Sequence, residues 1–292
     1  MSARIIDGKA IANQIREQLR QQILSYQHSG HRPPCLAVIL VGHDPASEVY
    51  VGHKKKACAS IGIESRSFEL PEDTTQDGLE SLLRRLNEDE TVDGILVQLP
   101  LPKHMNAERA IDMISPGKDV DGLTPFNQGM LVWRRPGLRS CTPYGVMKLL
   151  EAIDMPLEGK VAAVVGRSVL VGAPMATMLS NAGATVYSLH SKSENCPALT
   201  SQADILVVAT GVYHLVDRSW VKPGAVVIDV GMHRLEHGLA GDVNFDDVKE
   251  IASYITPVPG GVGPTTIAML LSNCVQAYAT RQGLSFPFDK NA

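Results

Sequence analysis

Short apolar runs punctuate this chain, each the length of a strand covered on both faces. CLAVILV at 35–41 is uninterrupted, and residues 92–99 form a second such run that closes on Pro-Leu-Pro. Residues 161–165, 185–189, 205–209 and 226–230 read as further strands, with less regular ones at 66–70 and 255–258. Helical spacing fills the gaps. Ile11, Ile15, Leu19 and Ile23 recur every four residues within 9–26, and Ile267, Leu271, Cys274 and Tyr278 share one stripe of a last helix over about 265–278. Segments 75–87, 106–114 and 174–181 also read as helices. Strands alternating with helices predict an α/β chain with mainly parallel sheets, because parallel neighbours need crossover connections.

At 292 residues the chain has the length of about two domains. Around 134–142 it turns polar and rich in glycine and proline, and Thr142-Pro143 then opens a new helix carrying Val146, Leu149, Leu150 and Ile153. The boundary is expected there, with the last helix free to pack back on the first domain. A net charge of −4 leaves no basic footprint for nucleic acid or an anionic membrane. No apolar run reaches the roughly 20 residues of a membrane span, and MSARIIDGKA lacks the apolar core of a signal peptide. Five scattered cysteines without a C-x-x-C pair point to reduced thiols in the cytoplasm, and no metal-ligand cluster is apparent.

The stretch VGHDPASEVYVGHKKKACASIGI at 41–63 carries the clearest chemical signal. Asp44-Pro45 starts a helix and Gly62 ends it. At about 100° per residue, Ala46, Tyr50, Lys54, Ala57 and Ile61 fall on one stripe, whereas Lys55 and Lys56 point the other way. An ammonium drawn onto an apolar face is stripped of water and suited to acid–base chemistry. The alternative is a lysine that packs its stem and leaves its head in water. Gln98, at the end of a buried strand, stands where open α/β sheets bind ligands and can partner that lysine, or bond an adjacent loop. Asp121 in KDVDGL can grip a flat heterocycle through two hydrogen bonds, or can form an Asx turn.

In the second half, VAAVVGRSVLVGAP at 161–174 is strand, glycine turn and helix start. Gly166 allows a sharp turn, Gly172 a close backbone approach, and Pro174 the first helical turn; with its glycines six apart this is not G-x-G-x-x-G, and it can hold a phosphate or be a plain strand–turn–helix. The next strand ends in His190-Ser191-Lys192-Ser193 with no acid for a ribose diol, while Arg167 and Lys192 bring positive charge. That pattern favours NADP over NAD, although Lys192 can equally be a solvated surface residue. TPVPGGVGPTT at 256–266 offers a backbone able to press on a ligand, and Pro100 and Pro259 are candidates for cis bonds. His233 and His237 in HRLEH have the glutamate misplaced for a metalloprotease helix, and Gly231 and Gly238 argue for a turn. Ser115 and Lys118 match S-x-x-K only by chance, since proline and glycine separate them.

Together these blocks carry a family resemblance. DPAS-x-x-YV-x-x-K-x-KAC (44–58), DGILVQLPLP (93–102), KDVDGL (118–123), CTP-x-G (141–145), VVGRS-x-x-VG-x-P (164–174), KPGAVVIDVG (222–231) and PVPGGVGP (257–264) stand in order over nearly the whole chain. The sequence resembles the bifunctional methylenetetrahydrofolate dehydrogenase/methenyltetrahydrofolate cyclohydrolases. The resemblance implies an α/β fold of two domains, each with a mainly parallel sheet flanked by helices, the second Rossmann-like, with a folate cleft between them. A folate-binding catalytic domain would span 1–140 plus a C-terminal helix of about 265–292, and an NADP-binding domain 141–264. It also implies a cytoplasmic homodimer that binds a small-molecule folate and serves one-carbon metabolism and purine biosynthesis, with no nucleic acid, membrane or metal partner.

Residue by residue, the resemblance makes Lys54 the lysine of the hydrolytic step, Gln98 its hydrogen-bonding partner, Tyr50 a platform for the folate ring and Asp121 the holder of the pterin. Leu99, Pro259, Gly260 and Gly261 would also touch the folate. Gly166, Arg167, Ser168 and Ser191 would bind the NADP phosphates, with Met232 beside the cofactor. A single-activity dehydrogenase of the same family and a non-catalytic NADP-binding regulator are the alternatives. One departure concerns Thr265, where the family's block reads methionine; it is expected beside the cleft, with an influence on substrate affinity.

Overall fold

The computed structural model describes residues 2–236 and 238–287, with the side chain of Ala46 outside the description. His237 and the residues of the expected C-terminal segment beyond 287 also lie outside it. The chain divides into two compact units. Of the described residues, one comprises 14–141 and 267–287, the other 2–13 and 142–266.

In the first unit, three parallel strands lie in the order Glu64–Leu70, Cys35–Val41, Gly94–Val97. Cys35–Val41 is central, with Ala37 opposite both Arg66 and Ile95. Every residue of this strand is buried, which accounts for the unbroken apolar run. Helix Gln76–Glu88 packs Leu79, Leu82, Leu83 and Leu86 into the core with Ile39, Val41, Ile95 and Val97. The later turns of the last helix, Val262–Arg281, belong to this unit. Asn273 Nδ2 donates to the carbonyls of Val120 and Arg139 at 2.8 and 2.7 Å, and Tyr278 Oη donates to Arg32 O at 2.6 Å.

In the second unit, six parallel strands follow the order Arg4–Ile5, Tyr254–Ile255, Val226–Asp229, Ile205–Val208, Val161–Val165, Thr185–Leu189. From Val161–Val165 the next strand in the chain lies on one side and the following ones on the other. The order therefore reverses between Val161–Val165 and Ile205–Val208, the topological switch point where doubly wound sheets bind ligands. Residues up to 13 cluster here because Arg4 and Ile5 pair with Tyr254 and Ile255. The sequence reading put those residues in the other half; a two-residue strand has no periodicity by which to recognise it.

Other differences are local. Helix Pro125–Val132 follows the KDVDGL loop, and Thr124 before Pro125 is its N-cap. The last helix starts at Val262, including Gly263 and Pro264, because missing N–H partners do no harm in a first turn. His233–Leu235 and Gly238–Ala240 form an antiparallel hairpin, the turn that Gly231 and Gly238 indicated. All five cysteines are free, four of them buried. Among the described residues no helix is long and apolar enough to cross a membrane.

Candidate active site

Helix Pro45–Ile61 begins where Asp44 Oδ2 accepts from the Ser47 amide at 2.8 Å and its hydroxyl at 2.7 Å. It ends at Gly62, whose left-handed φ of 89° returns its amide to Cys58 O. These caps fix which face turns inward. Lys54 is 9% exposed, while Lys55 pairs with Glu69 near the surface. Lys54 Nζ donates to Gln98 Oε1 at 2.9 Å. Gln98 follows strand Gly94–Val97, its amide held by Ile39 O at 2.8 Å and its Nε2 donating to Leu99 O at 2.7 Å. Both ends of the Gln98 amide are thereby committed, so its oxygen is oriented toward the ammonium. The snorkelling alternative for Lys54 does not fit this geometry. Tyr50 lies one turn earlier and is half-buried, and burial raises the pKa of its phenol.

Asp121 joins this group from the following loop. Burial pushes its carboxyl above the usual range, the charge of Asp119 adds to the rise, and the positive charge of Lys54 pulls the other way. Asp121 and Leu99 line one small cavity with Ile95, Val97 and Asp119. The turn-forming carboxylate of KDVDGL is Asp119, not Asp121. Asp119 is buried and accepts from Leu123 N, Thr124 N, Thr124 Oγ1 and Asn127 Nδ2, all within 3.1 Å. Lys118 anchors the same loop by donating to Leu86 O, Asn87 O and Asp89 O at 2.7–2.8 Å, and burial pushes its ammonium down to about 8. Sequence reasoning missed both roles; the alternation of charged and apolar residues in KDVDGL is the only trace they leave.

The second unit builds its ligand edge at the switch point. Gly166 has φ 114°, and a Cβ there would run into Ala209 O, the residue after strand Ile205–Val208. A Cβ on Gly172 would meet the carbonyl of Gly166. The turn is thus too tight for side chains, and the helix that follows, Gly172–Asn181, has no side-chain cap. The helix starts two residues before Pro174, which still falls within the first turn. Arg167, Ser168, Ser191 and Lys192 are exposed around it. The Ser168 hydroxyl accepts from Val171 N at 3.2 Å and so helps shape its own loop. This cradle of bare glycine backbone, an uncapped helix start and two cations fits a phosphorylated dinucleotide. Met232 is 50% exposed beside strand Val226–Asp229.

Pro259 follows a cis peptide bond, as does Pro100. Gly260 O accepts from Lys9 N at 3.1 Å, and a Cβ on Gly8 would strike Gly261 O, so this segment also packs against the chain's own start. Thr265 is not beside an open surface: it is 0% exposed, donates to Val262 O at 2.8 Å and packs on Gly145. Its short side chain is explained by that packing, which encloses it.

Residues 6–121 match the family model for the tetrahydrofolate dehydrogenase/cyclohydrolase catalytic domain, and residues 140–282 match the NAD(P)-binding domain of the same family. The structure overlays on the bifunctional methylenetetrahydrofolate dehydrogenase/cyclohydrolase of Campylobacter jejuni with a TM-score of 0.94 at 48% identity, covering 96% of this chain and 100% of that one. The Trypanosoma brucei methylenetetrahydrofolate dehydrogenase-cyclohydrolase, solved with NADP cofactor and an inhibitor, gives 0.91 at 40% identity over 96% and 98%. The NAD-dependent methylenetetrahydrofolate dehydrogenase of Saccharomyces cerevisiae gives 0.79 at 25% identity over 97% and 99%. With both halves matched in chain order and nearly full-length overlays, this chain belongs to the tetrahydrofolate dehydrogenase/cyclohydrolase family.

Proposed function

We propose that this protein oxidises 5,10-methylenetetrahydrofolate to 5,10-methenyltetrahydrofolate with NADP+, then hydrolyses that cation to 10-formyltetrahydrofolate. The observation that carries the reading is the part-buried Lys54–Gln98 hydrogen bond, 2.9 Å long and one helical turn from Tyr50. NADP+ supplies the hydride acceptor, so in the first step the protein mainly has to hold two rings in register. Gly166, Arg167, Ser168 and Ser191 hold the cofactor phosphates, and Met232 lies beside it. Tyr50 stacks on the folate, Asp121 holds its pterin, and Leu99, Pro259, Gly260 and Gly261 complete the folate contacts.

The second step adds water to the methenyl carbon, breaks one carbon–nitrogen bond and leaves a proton on that nitrogen, with one proton released. Lys54 holds and moves the proton, and Gln98 keeps its Nζ in place. Asp121 adds negative charge near the cationic substrate. The intact Lys54–Gln98 pair favours two activities over a dehydrogenase alone, and the folate-side residues beside an intact glycine turn favour an enzyme over a regulator.

Folate chemistry is assigned to residues up to 140 with the C-terminal helix of about 265–292 and cofactor binding to 141–264, although residues 2–13 pack with the second unit. The reading also takes the enzyme as a cytoplasmic homodimer serving purine biosynthesis, supported by the family resemblance and five unpaired thiols. Light scattering on the purified protein tests the dimer. Two assays test the activities: NADPH formation dependent on methylenetetrahydrofolate, and loss of methenyltetrahydrofolate absorbance faster than in buffer without NADP+. Absence of either rate rejects the corresponding activity.

A further inference from the structure

Behind the glycine turn sits a buried polar cluster that the proposed chemistry does not use. Asp242 is 0% exposed. Its Oδ2 accepts from Thr210 N, Thr210 Oγ1 and Gly211 N at 2.6, 2.8 and 2.9 Å, and its Oδ1 accepts from His233 Nε2 at 2.8 Å. The Asp242 amide donates in turn to Asp229 Oδ1 at 3.0 Å, and Asp229 also takes Gly231 N and Val243 N at 2.9 Å each. Backbone packs tightly on both carboxylates. A Cβ on Gly231 would run into the Asp242 carboxylate, and one on Gly241 into that of Asp229.

All four oxygens are already engaged by hydrogen-bond donors, which leaves them no role as metal ligands. What they hold is backbone. Residues 210–211 follow strand Ile205–Val208 at the switch point, directly after Ala209, whose carbonyl closes on Gly166. His233 follows Met232, the residue placed beside the cofactor. One carboxylate therefore pins two separate segments, one against the phosphate-binding turn and one beside Met232.

We infer that Asp242 is a positioning residue for the dehydrogenase step, fixing residues 210–211 and 232–233 around the bound dinucleotide while taking no part in hydrolysis. The inference rests on the cofactor reading above. Removing the carboxylate frees three donors that now fix a turn, so the turn loses definition where the cofactor must dock. An asparagine can take the same three donors on its oxygen and offer its amide to His233 with the ring in its other tautomer.

The test compares Asp242→Ala, Asp242→Asn and Thr210→Val in the full-length protein. Calorimetry gives the dissociation constant for NADP+, and hydrolysis of methenyltetrahydrofolate is followed without NADP+. Asp242→Ala is expected to weaken NADP+ binding about 10-fold or more, with methenyl hydrolysis within about 2-fold of wild type, and Asp242→Asn to restore most of the affinity. Thr210→Val removes the hydroxyl that donates to Asp242 Oδ2 and accepts from Val212 N, leaves the carboxylate in place, and keeps the test decisive if the alanine variant does not fold; about 3-fold weaker binding is expected. Unchanged NADP+ affinity in the folded variants overturns the inference, as does a fall in hydrolysis that matches the fall in affinity. A wild-type protein that binds no NADP+ overturns the cofactor reading as well, which separates the two failures.

Discussion

Lys54 and Gln98 are 44 positions apart in the chain, yet the ammonium of one donates to the amide oxygen of the other at 2.9 Å. The contact depends on two independent local signals. The Asp44 cap sets the rotation of helix Pro45–Ile61, and the end of strand Gly94–Val97 delivers Gln98 at the carboxyl edge of the sheet.

Replacing Gln98 by leucine leaves the buried Lys54 ammonium and the Leu99 carbonyl without this partner. A hydrogen bond to a charged group contributes about 1.5–3 kcal/mol, so methenyl hydrolysis should slow by about 10- to 100-fold. NADP+ reduction should change by less than about 3-fold, because hydride transfer does not pass through this pair. Steady-state kinetics of the two half-reactions on one preparation check this split.

The cofactor edge carries Arg167 and Lys192 with no acid at position 191. Arg167→Ala should lower kcat/KM for NADP+ by about 10-fold or more and leave kcat/KM for NAD+ within about 2-fold, since only the former has a 2′-phosphate to pair. Ser191→Asp should narrow the preference further by repelling that phosphate and engaging the ribose diol. Kinetics with both dinucleotides decide the point.

Asp229 supplies a pH dependence of stability. Burial pushes its carboxyl up to about 6, against three backbone amides that favour the ion. With the folded pKa raised above the unfolded one, the folded state binds more protons between them. The contribution is therefore fully present below the unfolded value and is lost as pH rises through about 6. Relative to Asp229→Asn, wild type should lose roughly 2 kcal/mol between pH 4.5 and 7.5, a window that spans most of the shift. Urea unfolding of both proteins across that range measures the difference.

Thr265 and Gly145 pack so closely that a Cβ on Gly145 would lie 2.8 Å from the threonine oxygen. Gly145→Ala should lower stability by about 1–3 kcal/mol through overpacking. Thr265→Val should cost about 1 kcal/mol through loss of the bond to Val262 O. Neither should change the KM for methylenetetrahydrofolate by more than about 2-fold, since the side chain is enclosed. Denaturation curves and substrate titrations together test this.

Much of this architecture was legible in residue order. The continuous run at 35–41 specified a central buried strand, and the Asp44-Pro45 and Gly62 signals fixed the helix that aims Lys54 inward. Gly166 and Gly172 marked the turn at the second sheet. Other features left no local signature. Arg4 and Ile5 form a strand only because Tyr254 and Ile255 are there to pair with. Asp119 and Asp121 look alike in KDVDGL, and only folding shows that one builds the turn while the other responds to Lys54. His233 reads as a stray histidine until Asp242, nine residues later, takes up its Nε2.

The most direct test of the two-step account follows NADPH and methenyltetrahydrofolate together, with methylenetetrahydrofolate and NADP+ as reactants, in wild type and Lys54→Ala. The account predicts NADPH rising without methenyl build-up in wild type. In the variant, methenyltetrahydrofolate should accumulate in step with NADPH, and hydrolysis should fall by about 100-fold or more, the scale of acid–base catalysis. Equal methenyl hydrolysis in the two proteins would contradict the account by removing Lys54 from the chemistry.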